Sequence, residues 1–165
     1  MNHPTNLLHP VAEQHSKFWQ NAHLYFDRVY QTIQIPGLTI TGQRPADDPR
    51  IPVIAAVGAR LFDRPYTHLD IGSNLGMFNI TMAQLPQVRR SIGVEAYDKY
   101  VELAQVLAFL ANVDNAEFHC AVGGEDSLAE RLAGQPIDIV TVYSVYHHIR
   151  NKERFLADLV ALRPS

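Results

Sequence analysis

The chain has 165 residues, of which 47% are hydrophobic and 19% charged, and its net charge is -3. That length suits one domain with a real core and is too short for two comfortable ones. The composition excludes a disordered chain and leaves no basic footprint for nucleic acid or an anionic membrane.

The single cysteine, Cys120, rules out an internal disulfide framework. The N-terminus shows no basic segment followed by an apolar run, so no signal peptide is expected. No stretch approaches the ~18 consecutive apolar residues of a membrane span. A soluble, cytoplasmic protein is the expectation.

In chain order, the first pattern is SKFWQNAHLYFDRVYQTI, residues 16–33. Phe18, Trp19, Ala22, Tyr25, Phe26, Val29, Tyr30 and Ile33 recur at three- and four-residue steps, which predicts an amphipathic helix with an aromatic stripe. Ser16 is its candidate cap, Pro36-Gly37 its stop, and core packing is favoured over a lid as its role. A turn-rich stretch follows. Asp47 or Asp48 then caps a second helix over 49–61, with Val53, Ile54, Val57 and Leu61 on one face. Residues 1–62 thus read as a helical extension.

The rhythm then changes. Strands are expected at 67–71, 91–96, 116–122 and 137–145, and helices at 76–85, 99–113, 125–134 and 151–162. Gly134 stops the third of these helices and Asn151 caps the fourth. Alternating strands and helices imply parallel strands joined by right-handed crossovers and covered on both faces. The near-continuous apolar strands suit such a sheet. The fold class is α/β, doubly wound, over residues 63–165. Four parallel strands leave an exposed edge, so the sequence reads as a fragment that ends early.

Ligands in this class bind at the carboxyl ends of the strands. The first candidate there is LDIGSNLG, where Asp70 ends a strand and Gly72 and Gly76 permit tight backbone paths and close approach of a ligand. The plain alternative is an ordinary strand–turn–helix connection. A dinucleotide fingerprint wants G-x-G-x-x-G, and this chain offers G-x-x-x-G after an acid. The second candidate is Glu95, at the end of the next strand, where an acid accepts hydrogen bonds from a ribose diol.

Together these motifs resemble those of the class I S-adenosylmethionine-dependent methyltransferases, over roughly residues 65–162. LDIGSNLGMF is similar to the family's glycine-rich first motif, Glu95 to its ribose-binding acid, AVGGEDS to the segment after the third strand, and IDIVTVYSVYHHI to the fourth-strand motif. GQRPADDPRIPVIAAV is similar to an arginine-containing lead-in of some members.

The resemblance implies a Rossmann-like, mainly parallel sheet in the order 3-2-1-4. It also implies S-adenosylmethionine as cofactor, S-adenosylhomocysteine as product and transfer of a methyl group. Asp70 would organise the methionine end, and Gly72, Ser73, Asn74 and Gly76 would form the backbone surface beneath it. Glu95 would hold the ribose, with Ala96 and Tyr97 flanking the adenine. Ala121 and Val122 would sit near the adenine edge, and Tyr143 and Ser144 would line the sulfonium end. The family's sheet continues with a fifth strand and an antiparallel hairpin that this sequence lacks, which puts turnover in doubt.

His147 or His148 is a candidate general base, with His147 the first choice, although positioning of the loop is the favoured role. No metal site is expected, because no H-x-x-x-H or carboxylate cluster joins them. The expected acceptor is a small molecule. The two other readings are a non-catalytic, methyltransferase-like binding module and an NAD(P)-dependent oxidoreductase.

Overall fold

The computed structural model describes residues 29–132 and 134–162. They divide into two compact units, with the boundary between Ala46 and Asp47. The expected boundary at residue 62 is therefore too late: the helix that precedes it belongs with the sheet.

In the first unit, β1 (Ile33–Ile35) and β2 (Leu38–Ile40) form an antiparallel hairpin, with Ile33 opposite Ile40. This corrects the end of the expected helix over 16–33 and the wholly helical reading of 1–62. Pro36-Gly37 is the turn of a hairpin and not a helix stop, and Gly37 takes φ 77, the left-handed conformation that glycine adopts at no steric cost. The alternation in Ile33-Gln34-Ile35 supports a strand once that turn is in place. Residues 16–28, with Ser16, Phe18, Trp19, Ala22, Tyr25 and Phe26, lie outside the described residues.

The second unit opens with α1 (Arg50–Leu61). Its N-cap is Pro49, with no side-chain cap bond, which corrects the cap expected at Asp47 or Asp48; Asp48, one residue earlier, still accepts the Arg50 amide on Oδ1 at 2.9 Å. The strands β3 (Tyr66–Ile71), β4 (Val88–Glu95), β5 (Ala116–Cys120) and β6 (Ile139–Val142) form one parallel sheet in the order β5-β4-β3-β6. Counted among the sheet strands alone this is the expected 3-2-1-4; the hairpin takes the first two strand numbers. The crossovers carry α2 (Met77–Ala83), α3 (Asp98–Leu110) and a short α4 (Leu128–Arg131), and α5 (Lys152–Ala161) follows β6. The helix expected over 125–134 shrinks to α4, because Asp126 folds back to accept the Val122 amide at 2.7 Å. Asn151 caps α5 by accepting the Arg154 amide, as expected.

All of β3 is buried, and its pleat sends alternate residues to opposite faces. Leu69 and Ile71 join Ile92 and Val94 in a core closed by Leu128, Leu132, Ile149 and Phe155. Each such side chain contributes about 1.5–3 kcal/mol when fully buried. Tyr66 points the other way, into a second core with Ile51, Ile54, Phe78, Met82 and Val88. Gly58 permits that packing, since a Cβ there would come within 2.2 Å of the Tyr66 ring. Arg64 and Asp138 pin the amino edge: their ion pair spans 2.8 Å, and Asp138 also accepts the Thr67 amide at 2.8 Å.

Parallel pairing brings the ends of β3, β4, β5 and β6 to one edge, so the candidate residues assemble there. Among the described residues no helix is long and apolar enough to cross a membrane.

Candidate functional site

The loop after β3 is tied to β4 rather than left open. The amides of Gly72 and Ser73 both donate to the Val94 carbonyl, at 2.8 and 3.1 Å, and the Gly76 amide donates to the Ser73 carbonyl at 2.9 Å. The Asn74 amide donates to Glu95 Oε2 at 2.9 Å. These four donors are occupied by the protein, so they do not form an anion cradle of the P-loop kind.

Both glycines of the motif are needed by the fold itself. Gly72 has φ 80 and Gly76 φ 74. A Cβ at Gly72 would fall 2.7 Å from the Val145 side chain, and one at Gly76 2.4 Å from the Phe118 ring. Ser73 packs over Gly93, and its hydroxyl is buried with no hydrogen-bond partner. An orphaned buried hydroxyl costs free energy unless something pairs with it.

Glu95 closes β4 and is 8% exposed. Its Oε1 accepts the amides of Ala96 at 2.9 Å and Tyr97 at 3.2 Å, while Oε2 takes the Asn74 amide. An ionised carboxylate has about four acceptor sites, so these three bonds fix its rotamer and leave capacity for a further donor. Ala96 is exposed and so is Tyr97, whose ring lies 5.6 Å from that of Tyr100.

Asp70 lies one strand away, paired in register with Gly93 of β4 and Thr141 of β6. It is buried, and Thr141 Oγ1 donates to its Oδ1 at 2.6 Å. Burial pushes its carboxyl up to about 7; the Thr141 bond and the Arg50 charge oppose the shift, while the charges of Asp48 and Glu95 add to it. Asp70 and Glu95 are therefore close enough to sense each other.

Arg50 belongs to this group and came from the stretch quoted as an arginine-containing lead-in. Its guanidinium forms an ion pair with Asp48, with Nε 2.8 and 2.9 Å from the two carboxylate oxygens, and covers the Tyr143 ring at 4.5 Å and the Phe78 ring at 5.3 Å. Tyr143 meets Phe78 edge-on at 5.7 Å. Tyr143 thus lies near enough to Asp70 to sense its charge. Ser144 follows it, exposed, with φ 56.

The remaining expected residues are more dispersed. Ala121 is a core residue whose amide donates to the Glu95 carbonyl at 3.0 Å, and Val122 is half-buried in the folded-back loop. His147 is exposed on a 3-10 turn, Tyr146–His148, its ring 3.9 Å from that of His148. Among the described residues no three His, Cys, Asp or Glu side chains are grouped to hold a metal ion.

Sequence reasoning missed a set of polar residues beneath Asp70: His68, Asn79, Ser91 and Thr141, all buried. The available signal was the H-x-D spacing in β3, which puts His68 and Asp70 on one face of a strand, together with a lone threonine in the apolar run IVTV. A groove of about 240 Å³, lined by Gln105, Ala108, Phe109, Asn112 and Ala116, lies at the amino end of β5, away from Glu95, which pairs with Cys120 at the other end of that strand.

No family model matches the chain, and no curated protein does. Solved structures do match. An S-adenosylmethionine-dependent methyltransferase from Aquifex aeolicus is 15% identical over 71% of this chain and 63% of its own, with a TM-score of 0.55. The YcgJ protein of Bacillus subtilis is 21% identical over 68% of this chain and 46% of its own, at 0.55. The N-terminal domain of EvdMO1, solved with S-adenosylhomocysteine and D-fucose, is 16% identical over 87% of this chain and 59% of its own, at 0.63. The chain thus spans about half to two thirds of the length of these proteins. Its α/β sheet unit has the class I S-adenosylmethionine-dependent methyltransferase fold.

Proposed function

We propose that this chain binds S-adenosylmethionine across the carboxyl ends of β3 and β4 and transfers its methyl group to a small-molecule acceptor. The observation that carries the reading is the pair of carboxylates, Asp70 and Glu95, on adjacent parallel strands of this fold, each held by hydrogen bonds before any ligand arrives. The glycines argue less for a ligand than the motif suggests, because protein atoms fill the space they leave.

Glu95 accepts a ribose hydroxyl with the capacity its three amide bonds leave open, and Ala96 and the exposed Tyr97 flank the base. Asp70 faces the aminoacyl end and, when ionised, attracts its ammonium group. The bound cofactor supplies an activated methyl group on a sulfonium, so alignment and exclusion of water are the main tasks left to the protein. Tyr143, steadied by Arg50 and Phe78, lines that end of the cleft. His147 takes a proton from a hydroxyl acceptor where the acceptor requires it. A small hydroxylated acceptor is supported by the EvdMO1 N-terminal domain, whose structure was determined in the presence of D-fucose.

The test is titration calorimetry with S-adenosylhomocysteine, comparing the wild type with Glu95→Ala. Affinity should fall by more than ~1 kcal/mol, the scale of a lost charged hydrogen bond. Equal affinities would remove Glu95 from the ribose site. A wild type that binds NAD but not S-adenosylhomocysteine would overturn the whole reading.

A further inference from the structure

A chain of buried polar groups crosses the sheet beneath Asp70, from α2 through β4 and β3 to β6. Asn79 Nδ2 donates to Ser91 Oγ at 3.0 Å, and Ser91 Oγ lies 3.0 Å from His68 Nδ1. His68 Nε2 lies 2.8 Å from Thr141 Oγ1, which reaches Asp70 Oδ1 at 2.6 Å. Asn79, Ser91 and His68 have no exposed surface, so no water competes for these bonds.

The direction of each bond follows from proton counting. A hydroxyl has one proton to donate, and a neutral imidazole has one N–H and one bare nitrogen. Burial holds His68 neutral by pushing its pKa down to about 4. An ionised Asp70 can only accept, so Thr141 must give it the hydroxyl proton. His68 Nε2 must then be the protonated nitrogen, donating to Thr141. Nδ1 is left bare and accepts from Ser91, whose oxygen accepts from Asn79. Every donor in the row points toward Asp70.

We propose that His68 is a positioning residue of this site: through Thr141 it turns a hydroxyl proton onto Asp70 and holds the ionised carboxylate in one rotamer. Without the His68 donor, the Thr141 proton is free to turn to the Leu69 carbonyl, 3.3 Å away, and Asp70 loses its side-chain partner. The functional consequence rests on the cofactor-binding reading above, since it requires Asp70 to face the ligand.

Protonation reverses the row. When Asp70 takes one proton from solvent it becomes the donor to Thr141, whose own proton then points at His68 Nε2. The imidazole still carries one proton, now on Nδ1 and donated to Ser91, whose own proton goes to Asn79 Oδ1 once that amide turns its otherwise unpaired oxygen toward it. The His68 tautomer therefore reports the charge on Asp70. The charged groups that act on Asp70 are Arg50 and Asp48 from the start of α1 and Glu95 from the end of β4, with Tyr143 beyond β6 sensing it in turn.

The experiment is nitrogen NMR of the full chain with labelled histidine. His68 should hold its proton on Nε2 above pH about 7 and on Nδ1 below it, the midpoint following Asp70. An Nδ1-protonated ring above that pH, or a tautomer that never changes, would overturn the proposal. Binding of S-adenosylhomocysteine above the same pH gives the second readout. A glutamine amide reaches the position of Nε2 and an asparagine amide only that of Nδ1. His68→Asn should weaken binding about tenfold, while His68→Gln should stay within about threefold. Equal losses in both variants, or none in either, would contradict the assignment. If the wild type binds no S-adenosylhomocysteine, the cofactor reading fails, and the tautomer measurement alone decides the hydrogen-bond row.

Discussion

Both faces of the sheet carry an apolar core, but only one of them also buries a row of polar side chains. On one, Leu69, Ile71, Ile92 and Val94 meet Leu128, Leu132 and Phe155 in a purely apolar core. On the other, the same strands present His68, Asp70, Ser91 and Thr141, all buried and joined side chain to side chain. Burying polar groups costs free energy unless each finds a partner, and here the row supplies most of them, although Asn79 Oδ1 has none. The difference teaches a division of labour: one face is apolar throughout, and the other sets a polar row beside its own apolar core of Tyr66, Phe78 and Met82 and so fixes a carboxylate at the edge where ligands bind in this fold.

That division can be broken most strongly on the apolar side. Phe155 has no exposed surface, so Phe155→Ala should lower the unfolding free energy by about 3–5 kcal/mol. Chemical denaturation would measure it. A loss of less than about 1 kcal/mol would mean that this core contributes little to stability.

The polar face is expected to give a smaller effect, visible as a change of slope with pH. Asp70 holds its proton to about 7 when folded but releases it near ~4 when unfolded, so its contribution to stability falls as pH rises through that window. His68 stays neutral down to about 4 when folded but is protonated below ~6.5 when unfolded, so its contribution rises with pH between those values. In the wild type the two slopes oppose each other. Asp70→Asn should expose the rising slope and His68→Gln the falling one, each on the order of 1 kcal/mol per pH unit at most. Parallel stability curves for both variants and the wild type would show that the two groups do not titrate as described.

The parallel strands and most of the helices were legible in the sequence because they rest on periodicity and on glycine punctuation, which are local signals, whereas the strand order followed only from the family resemblance. Legible too were the places of Glu95, the last residue of β4, and of Asp70, which stands one residue before the end of β3. The hairpin at Ile33–Ile40 was not, because its three-residue strands are too short to set a period and its Pro-Gly turn also reads as a helix stop. The polar row was hidden for a different reason. His68, Ser91 and Thr141 come from three strands, and only register brings them together: His68 beside Ser91 and Asp70 beside Thr141. The glycines were legible as positions but misleading as to cause, since Phe118 and Val145, distant in sequence, fill the space they leave.

The central claim is that an adenosyl cofactor lies between the ends of β3 and β4. A crystal structure of the full chain with S-adenosylhomocysteine tests it most directly. The account predicts a ribose hydroxyl within ~3.2 Å of a Glu95 carboxylate oxygen, with the homocysteine end toward Asp70. A nucleoside seated elsewhere, for instance in the groove between Gln105 and Ala116, or a Glu95 carboxylate untouched by ligand, would contradict it.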